Sequence, residues 1–177
     1  GLFPPSGGEL ALCGHAIRFH NPLEAARAGV LVVHQEAELF AQLSIAENML
    51  LARGLVRGRA GVIRWGATYQ EAERLVGEMG EQFDVRRDAG GLPVARRTMA
   101  EIAAAVAQQP KVLFLDEPTA SLTQKEIHNL FAQIRRLRDA GVGIVYVSHR
   151  LEEVLALCDR VTIMRDGSTV ETKVAAD

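Results

Sequence analysis

Two adjacent carboxylates, Asp116 and Glu117, follow the short apolar run Val112–Leu115. A run of this length without polar alternation favours a strand buried on both faces, as in a parallel sheet. The carboxylates then emerge at the carboxyl end of the strand, where open α/β sheets bind their ligands. Paired acids at that position suit a hydrated Mg²⁺ ion and an activated water. A solvated acidic turn that ends the strand fits the bare pattern equally well.

Two further polar side chains follow apolar runs of strand length. Gln35 comes after Val30–Val33, and His149 comes after Val142–Val147. A glutamine amide both accepts and donates hydrogen bonds, so Gln35 could contact a metal ion and a water together. His149 could form a hydrogen bond with a phosphate, although a lone histidine is more often structural. The remaining histidines lack the spacing of metal ligands and are interpreted as loop or surface residues: His15, His20, His34 and His128.

Four segments of the chain occur in the order found in one known family. Residues 32–36 read VVHQE, residues 43–48 LSIAEN, residues 116–123 DEPTASLT and residues 144–153 IVYVSHRLEE. They resemble the Q-loop and the stretch after it, the Walker B motif with its D-loop, and the switch-histidine segment of ATP-binding cassette (ABC) ATPases. The resemblance covers almost the whole chain and is strongest to the N-terminal cassette of monosaccharide (ribose, galactose or xylose) import proteins. It implies an α/β fold, a P-loop NTPase-like ABC ATPase domain with a mostly parallel sheet core and a helical insert.

The resemblance implies roles for the polar residues at the strand ends. Glu117 would be the general base for ATP hydrolysis, and His149 would form a hydrogen bond with the γ-phosphate. Asp116 and Gln35 would hold Mg²⁺, partly through water, and Gln35 would also sense the transmembrane partner. Ser121, in the D-loop segment, would belong to the nucleotide-binding residues.

The counterpart of the family's signature loop, normally LSGGQ, is Leu92–Arg96, which reads LPVAR. In the family this loop and the helix N-terminus after it bind the γ-phosphate held by the opposing subunit. Here Pro93 replaces the serine, which removes a hydroxyl and an N–H. Val94 and Ala95 replace glycines, and Arg96 replaces glutamine with a positive charge. The sequence therefore predicts impaired hydrolysis across a cassette dimer.

The 177 residues contain no P-loop, G-x-x-x-x-G-K-[ST]. In that motif backbone amides surround the phosphates and a lysine reaches the β- and γ-phosphates. The only lysines are Lys111, Lys125 and Lys173, and none of them follows a glycine. Because the chain opens without Met, at GLFPPSGGEL, it is interpreted as a cassette truncated at its N-terminus. We expect this piece alone to be inactive as an ATPase and to leave a sheet edge uncovered.

Hydrophobic periodicity and helix-start signals predict the remaining elements. Two capping boxes, Ser44 with Glu47 and Thr123 with Glu126, predict helices that end near Ala52 and Gly141. Further helices are predicted at 22–28, 68–83 and 150–157, the last capped by Ser148. Pro93 suits the first position of a helix, and residues 98–109 form a strong helical stretch. Hairpins are predicted at 9–19 and 160–172. The elements form two predicted lobes, an α/β (RecA-like) lobe of residues 1–42 and 110–177 and a helical, signature-bearing insert of residues 43–109.

Composition limits the possible classes of function. The chain has 48% hydrophobic and 24% charged residues and a formal net charge of −2, which are ordinary values for a globular domain. This balance gives no reason to expect binding to nucleic acid or to an anionic membrane, and the Arg-rich stretch 53–66 is interpreted as a solvated loop. Cys13 and Cys158 are expected to be reduced, packed thiols. No apolar stretch approaches the roughly 20 residues of a membrane span, so a membrane role would require a partner.

Three functions remain open from the sequence. The favoured one is the ATP-binding and ATP-hydrolysing part of an ABC importer for a monosaccharide, on the cytoplasmic face of the cell membrane. Its partners would be a transmembrane permease, a second cassette and, indirectly, a periplasmic or extracellular sugar-binding protein, but no nucleic acid. The first alternative is a degenerate, non-hydrolysing half that dimerises with a competent cassette. The second is an ABC ATPase without a transporter, against which the near-neutral charge counts.

Overall fold

The computed structural model describes residues 3, 5–35, 39–51 and 54–175. The described strands are β1 (Leu10–Leu12), β2 (His15–Ile17), β3 (Val30–Val33), β4 (Val112–Asp116), β5 (Gly143–Val147), β6 (Arg160–Arg165) and β7 (Ser168–Val174). The described α-helices are α1 (Pro22–Arg27), α2 (Ile45–Leu50), α3 (Trp65–Glu78), α4 (Val94–Ala107), α5 (Gln124–Asp139) and α6 (Leu151–Leu157). Short 3₁₀ helices occur at Arg59–Gly61 and Ala89–Gly91. Glu36 of the predicted Q-loop, the predicted helix end at Ala52, and Arg53 lie outside the described residues.

The strands β3, β4 and β5 form a parallel sheet with β4 in its centre. In this sheet Val30 lies opposite Val112, and Val112 lies opposite Gly143. The three strands therefore end along the same edge of the sheet. Both predicted hairpins are confirmed, because β1 pairs with β2 and β6 pairs with β7, each antiparallel.

One face of the parallel sheet is covered and the other is largely open. On the covered face, Leu113 and Leu115 of β4 are fully buried. On the open face, the exposed fraction is 47% for Val32, 40% for Val145 and 48% for Val147. The prediction that these strands are buried on both faces is therefore wrong. An apolar run reports the polarity of a strand, but it does not report how many layers cover that strand.

The helices α2, α3 and α4 pack on one another, and α4 also packs against β3. Their fully buried side chains include Ile45, Met49, Met99 and Ile102. These side chains belong to the same hydrophobic core as the covered face of the parallel sheet. Because the core is continuous between the helices and the sheet, it does not mark a boundary, and the division into two lobes stays a prediction.

Helix starts that depend on capping boxes agree with the sequence. Ser44 and Thr123 each accept a hydrogen bond from the N–H three residues later, and the carboxylates of Glu47 and Glu126 accept the N–H of the cap residues. Both predicted capping boxes are therefore confirmed. The bounds predicted for α3 are less accurate, because the helix starts before residue 68 and Gly80, with a positive φ of 74°, follows its end.

Predictions at two other helix starts differ from the structure. The helix α4 begins at Val94 with Pro93 as its N-cap, one residue after the predicted first helical residue Pro93 and four residues before the predicted stretch 98–109. Pro93 fits there because its φ of −55° is fixed by the ring and the position needs no N–H donor. Ser148 does not cap α6, whose N-cap is Arg150 without a side-chain hydrogen bond. The Ser148 hydroxyl instead accepts a hydrogen bond from the Arg150 N–H at 3.0 Å.

A groove of about 700 Å³ lies between β5 and β6. Val145 and Val147 line it on the β5 side, and Val161 and Met164 line it on the β6 side. The two strands do not pair with each other in the part of the chain that the structure describes. The side of β5 that faces away from β4 is therefore open.

Cys13 and Cys158 are both free thiols, but their surroundings differ. Cys13 is exposed and Cys158 is half-buried. The prediction of packed thiols is wrong for Cys13, because this residue lies in the turn of the exposed β1–β2 hairpin.

None of the helices formed by the described residues combines the length and the apolar character needed to cross a bilayer.

Candidate functional site

The candidate site lies where β3, β4 and β5 end. Gln35 follows β3 by two residues, Glu117 follows β4 directly, and His149 follows β5 by two residues. The Nε2 atom of Gln35 donates a hydrogen bond to Oε2 of Glu117 at 3.3 Å. The Nδ1 atom of His149 lies 3.0 Å from Oε1 of Glu117 and is the donor, because an ionised carboxylate only accepts. Both carboxylate oxygens of Glu117 are thus occupied, each by a side chain from a different strand end.

The backbone of Glu117 is in an unusual conformation. Its φ is +44°, in the left-handed region that few residues other than glycine adopt. Such a conformation persists where the surroundings fix it, and it is common at functional sites. Here the N–H of Glu117 donates to the carbonyl of Val147 at 2.9 Å, which ties the end of β4 to the end of β5. This bond holds the main chain of Glu117 next to the segment that carries His149.

A cleft of about 390 Å³ opens beside Glu117 and His149. The side chain of Glu117 is 28% exposed and that of His149 is 72% exposed, so water reaches both. The rest of the cleft is lined by the loop after β4 and the loop after β5, through Thr119, Ala120, Leu122, Ser148 and Arg150. A carboxylate and an imidazole that share a solvent-accessible cleft can accept a proton from a water and donate a hydrogen bond to an anion.

Asp116 is the last residue of β4, half-buried and opposite Val147 in the sheet. Asp116 and Gln35 offer carboxylate and amide oxygens, which are ligands that Mg²⁺ accepts together with water. The amide nitrogen of Gln35 is directed at Glu117, so its oxygen is not used in that contact. No group of three or more His, Cys, Asp or Glu side chains is placed to hold a metal within the described residues. The donor set therefore fits an ion that completes its shell with water or phosphate oxygens.

The other predicted site residues lie elsewhere. Leu92–Arg96 is at the start of α4, outside both the hydrogen bonds of Glu117 and the lining of its cleft. Leu92 is buried, Ala95 is half-buried, and Pro93, Val94 and Arg96 are exposed. Ser121 is exposed in the turn between β4 and α5, close in sequence to the cleft. The structure thus brings Gln35, Glu117 and His149 together, whereas Leu92–Arg96 and Ser121 lie apart from the hydrogen bonds and the cleft of Glu117.

Sequence reasoning missed one polar residue next to this site, the buried carboxylate of Glu153. Its side chain is 7% exposed and forms an ion pair with Arg150 at 2.7 Å. A signal existed, because Glu153 stands four residues before Leu157 and therefore on the same face of α6 as that apolar residue. An acidic residue on the apolar face of a helix predicts a buried carboxylate with dedicated partners.

Two solved structures that align with this chain are ATP-binding cassettes. A dimeric post-hydrolysis state of the cassette MJ0796, bound to ADP and Pi, aligns with a TM-score of 0.81 at 20% identity and covers 98% of this chain and 76% of that one. A nucleotide-free cassette from an ABC transporter aligns with a TM-score of 0.78 at 19% identity, covering 98% of this chain and 72% of that one. At these identities the likeness establishes the fold, which is the α/β fold of ATP-binding cassettes with a parallel sheet.

The family follows from the sequence comparison. The model of the ABC transporter family matches residues 1–120, and the chain belongs to this family. It is 41% identical over 173 residues to the ribose import ATP-binding protein RbsA of Geobacillus kaustophilus, covering 98% of this chain and 35% of that protein. It is 39% identical over 177 residues to a putative ribose/galactose/methyl galactoside import ATP-binding protein of Agrobacterium fabrum, covering 100% of this chain and 34% of that protein. The chain thus spans about a third of the length of these relatives.

Proposed function

We propose that this chain is part of the ATP-hydrolysing subunit of an ABC importer for a monosaccharide. The observation that carries the proposal is the position of Glu117 between Gln35 and His149, at the common end of three parallel strands. The names of the relatives, which are import ATP-binding proteins for ribose or galactose, supply the substrate class. On this proposal the protein works on the cytoplasmic face of the membrane, because ATP is supplied there.

In the proposed mechanism Glu117 is the general base. Its carboxylate already accepts two hydrogen bonds, so its orientation toward the cleft is fixed before a water binds there. His149 donates to Glu117 through Nδ1, and only the imidazolium form, with a proton on both ring nitrogens, can also donate from Nε2 to a phosphate oxygen. Asp116 and Gln35 would hold Mg²⁺, which supplies charge stabilisation of the phosphate oxygens when bound.

We further propose that the 177 residues alone bind ATP weakly. They contain no P-loop, so the backbone amides and the lysine that normally bind the β- and γ-phosphates are not supplied by this sequence. The open face of the parallel sheet and the open edge of β5 are where a further strand and helix would pack. A P-loop segment that covered this face would bring its phosphate-binding amides near the cleft beside Glu117.

The proposed partners would contact segments of which only a part is exposed within the described residues. A second cassette would approach Ser121 and the loop Leu92–Arg96, all exposed except for Leu92 and Ala95. A transmembrane permease would contact the surface between Gln35 and Glu47 and the helical part of the molecule, and a sugar-binding protein would act through that permease. The relatives are named as import proteins, which supports these partners, since an importer needs a path through the membrane.

The first test is Mg²⁺-dependent ATP hydrolysis by the chain and by a version extended at its N-terminus with the P-loop segment of an ATP-binding cassette. We expect hydrolysis only in the extended version, and we expect Glu117→Gln to lower its kcat by about 10²-fold or more, because the amide cannot accept a proton. The matched control is Glu126→Gln, the same substitution in the α5 capping box, which should retain kcat. Equal hydrolysis by the extended parent and Glu117→Gln would remove Glu117 from the role of base.

One observation favours a second candidate, the non-hydrolysing half of a cassette pair. The N-cap of α4 is Pro93, which forms no side-chain cap hydrogen bond and offers no hydroxyl to a phosphate. Such a half would bind nucleotide tightly in the extended version but would not turn it over. Nucleotide titration combined with a turnover assay separates the two candidates, because tight binding with turnover excludes the second.

A further inference from the structure

The carboxylate of Glu153 is buried and fully surrounded by donors. Thr119 Oγ1 lies 2.9 Å from Oε1 and 2.8 Å from Oε2, and it donates to this carboxylate. The Tyr146 hydroxyl donates to Oε2 at 2.7 Å, and the Ser148 hydroxyl donates to the same oxygen at 3.2 Å. Nη1 of Arg150 lies 2.7 Å from Oε1. Glu153 itself is 6% exposed.

These four donors come from the two segments that carry the catalytic pair. Thr119 lies two residues after Glu117, in the loop that follows β4. Ser148 and Arg150 are the immediate neighbours of His149 on either side. The Glu153 carboxylate thus joins the segment of Glu117 to the segment of His149 through its contacts with Thr119, Ser148 and Arg150.

Only a carboxylate satisfies this set of partners. An ionised carboxylate has two oxygens and accepts from several donors at once, whereas an amide has one acceptor oxygen and would point N–H groups at other donors. Burying a charge is costly unless it is paired and hydrogen-bonded, and here Arg150 supplies the counter-charge. Burial and the hydrogen bond to Glu153 also raise the pKa of the Tyr146 hydroxyl. The network is therefore fully satisfied and stiff.

We propose that Glu153 is a positioning residue that holds His149 within hydrogen-bonding distance of Glu117. It forms a hydrogen bond or ion pair with neither of them, and it acts by fixing the main chain on both sides of the 3.0 Å contact between them. The proposal concerns geometry that the chain has without nucleotide. Its consequence for catalysis rests on the proposed ATPase function.

The geometric test uses the 177-residue chain and Glu153→Gln. The ¹⁵N signal of the protonated Nδ1 of His149, assigned by its loss in His149→Ala, reports the hydrogen bond to Glu117. We expect this signal to broaden or disappear in Glu153→Gln and to persist in the control Glu126→Gln. An unchanged Nδ1 signal in folded Glu153→Gln would overturn the proposal.

Milder variants cover the case in which Glu153→Gln does not fold. Tyr146→Phe and Thr119→Val each remove one donor, and we expect each to weaken the Nδ1 signal. We expect Glu153→Asp, which keeps the charge, to retain part of the signal of the parent. If Thr119→Val and Tyr146→Phe leave the signal at its original intensity, Glu153 is a structural residue only.

The catalytic test uses the P-loop-extended version at a temperature well below its unfolding midpoint. We expect Glu153→Gln to lower kcat about tenfold or more with the KM for ATP changed less than about twofold, because a misplaced base affects the reaction more than binding. A retained kcat, or a loss confined to KM, would overturn the catalytic part. If the extended parent itself hydrolyses no ATP, the proposed function fails, while the Nδ1 signal still decides the role of Glu153.

Discussion

Glu117 and Glu153 have the same side chain but opposite surroundings. Glu117 faces a cleft open to water, and its two oxygens accept from an amide and an imidazole. Glu153 is enclosed, and its oxygens accept from hydroxyl groups and pair with an arginine. A general base needs room for a water next to its oxygen. At the residue scale the structure therefore separates a carboxylate that can react from one that can only support.

The two cysteines give a prediction that depends on single residues. Burial raises the pKa of the Cys158 thiol, and the nearby Asp159 carboxylate raises it further, so at a given pH less of it is thiolate. Cys13 is exposed in its turn. At pH 8 we expect iodoacetamide to modify Cys13 faster than Cys158 by about tenfold, as followed by peptide mass spectrometry. Cys13→Ser is the control, and equal rates for the two thiols in the parent would contradict the described burial of Cys158.

The residues of the site differ in how far the sequence reveals them. Gln35, Glu117 and His149 each follow an apolar run of strand length, and parallel strands that share one edge bring such residues together. The sequence could not reveal the left-handed backbone of Glu117, because that conformation depends on the hydrogen bond to Val147 across the sheet. Nor could it reveal the four donors of Glu153, which come from parts of the chain up to 34 residues away.

For helices and strands, signals between residues close in the sequence predict where some helices begin. They do not predict which faces of the sheet are covered by other parts of the molecule. Capping boxes are made by residues three apart, so the starts of α2 and α5 could be predicted from sequence alone. The start of α4 has no side-chain cap to mark it, and the predicted first helical residue, Pro93, lies one position before the observed start. The open face of the sheet was missed for another reason, since the polarity of β3 and β5 is the same whether or not a further layer covers them.

The α5 capping box gives a prediction about stability. The Thr123 hydroxyl accepts the N–H of Glu126 and donates to its carboxylate at 2.7 Å. Thr123→Ala leaves that N–H without its side-chain partner and should lower the free energy of unfolding by about 1 kcal/mol. Urea unfolding followed by circular dichroism measures the loss. Thr123→Ser keeps the hydroxyl and should retain the parent stability; a Thr123→Ala variant as stable as Thr123→Ser would show that the box contributes little.

At the scale of the whole molecule, the parallel sheet is covered on one side only. The helices α2–α4 and the sheet share one core, while Val145 and Val147 of the other face border the groove beside β5. An open strand edge next to exposed apolar side chains is a template for pairing with another chain. The same surface is where the proposed P-loop segment would pack. Self-association of the 177-residue chain and its completion by that segment would therefore compete for one surface.

This competition predicts the effect of a charge on the open face. Val145 is 40% exposed and lines the groove, so Val145→Lys should reduce self-association, because burying the ammonium group in a paired edge is costly. Static light scattering over a concentration series should give a lower apparent mass for this variant than for the parent. Leu155→Lys, at a position on α6 that is 52% exposed and outside the groove, changes the net charge equally. If both variants lowered the apparent mass to the same extent, general surface charge rather than the open sheet would explain the result.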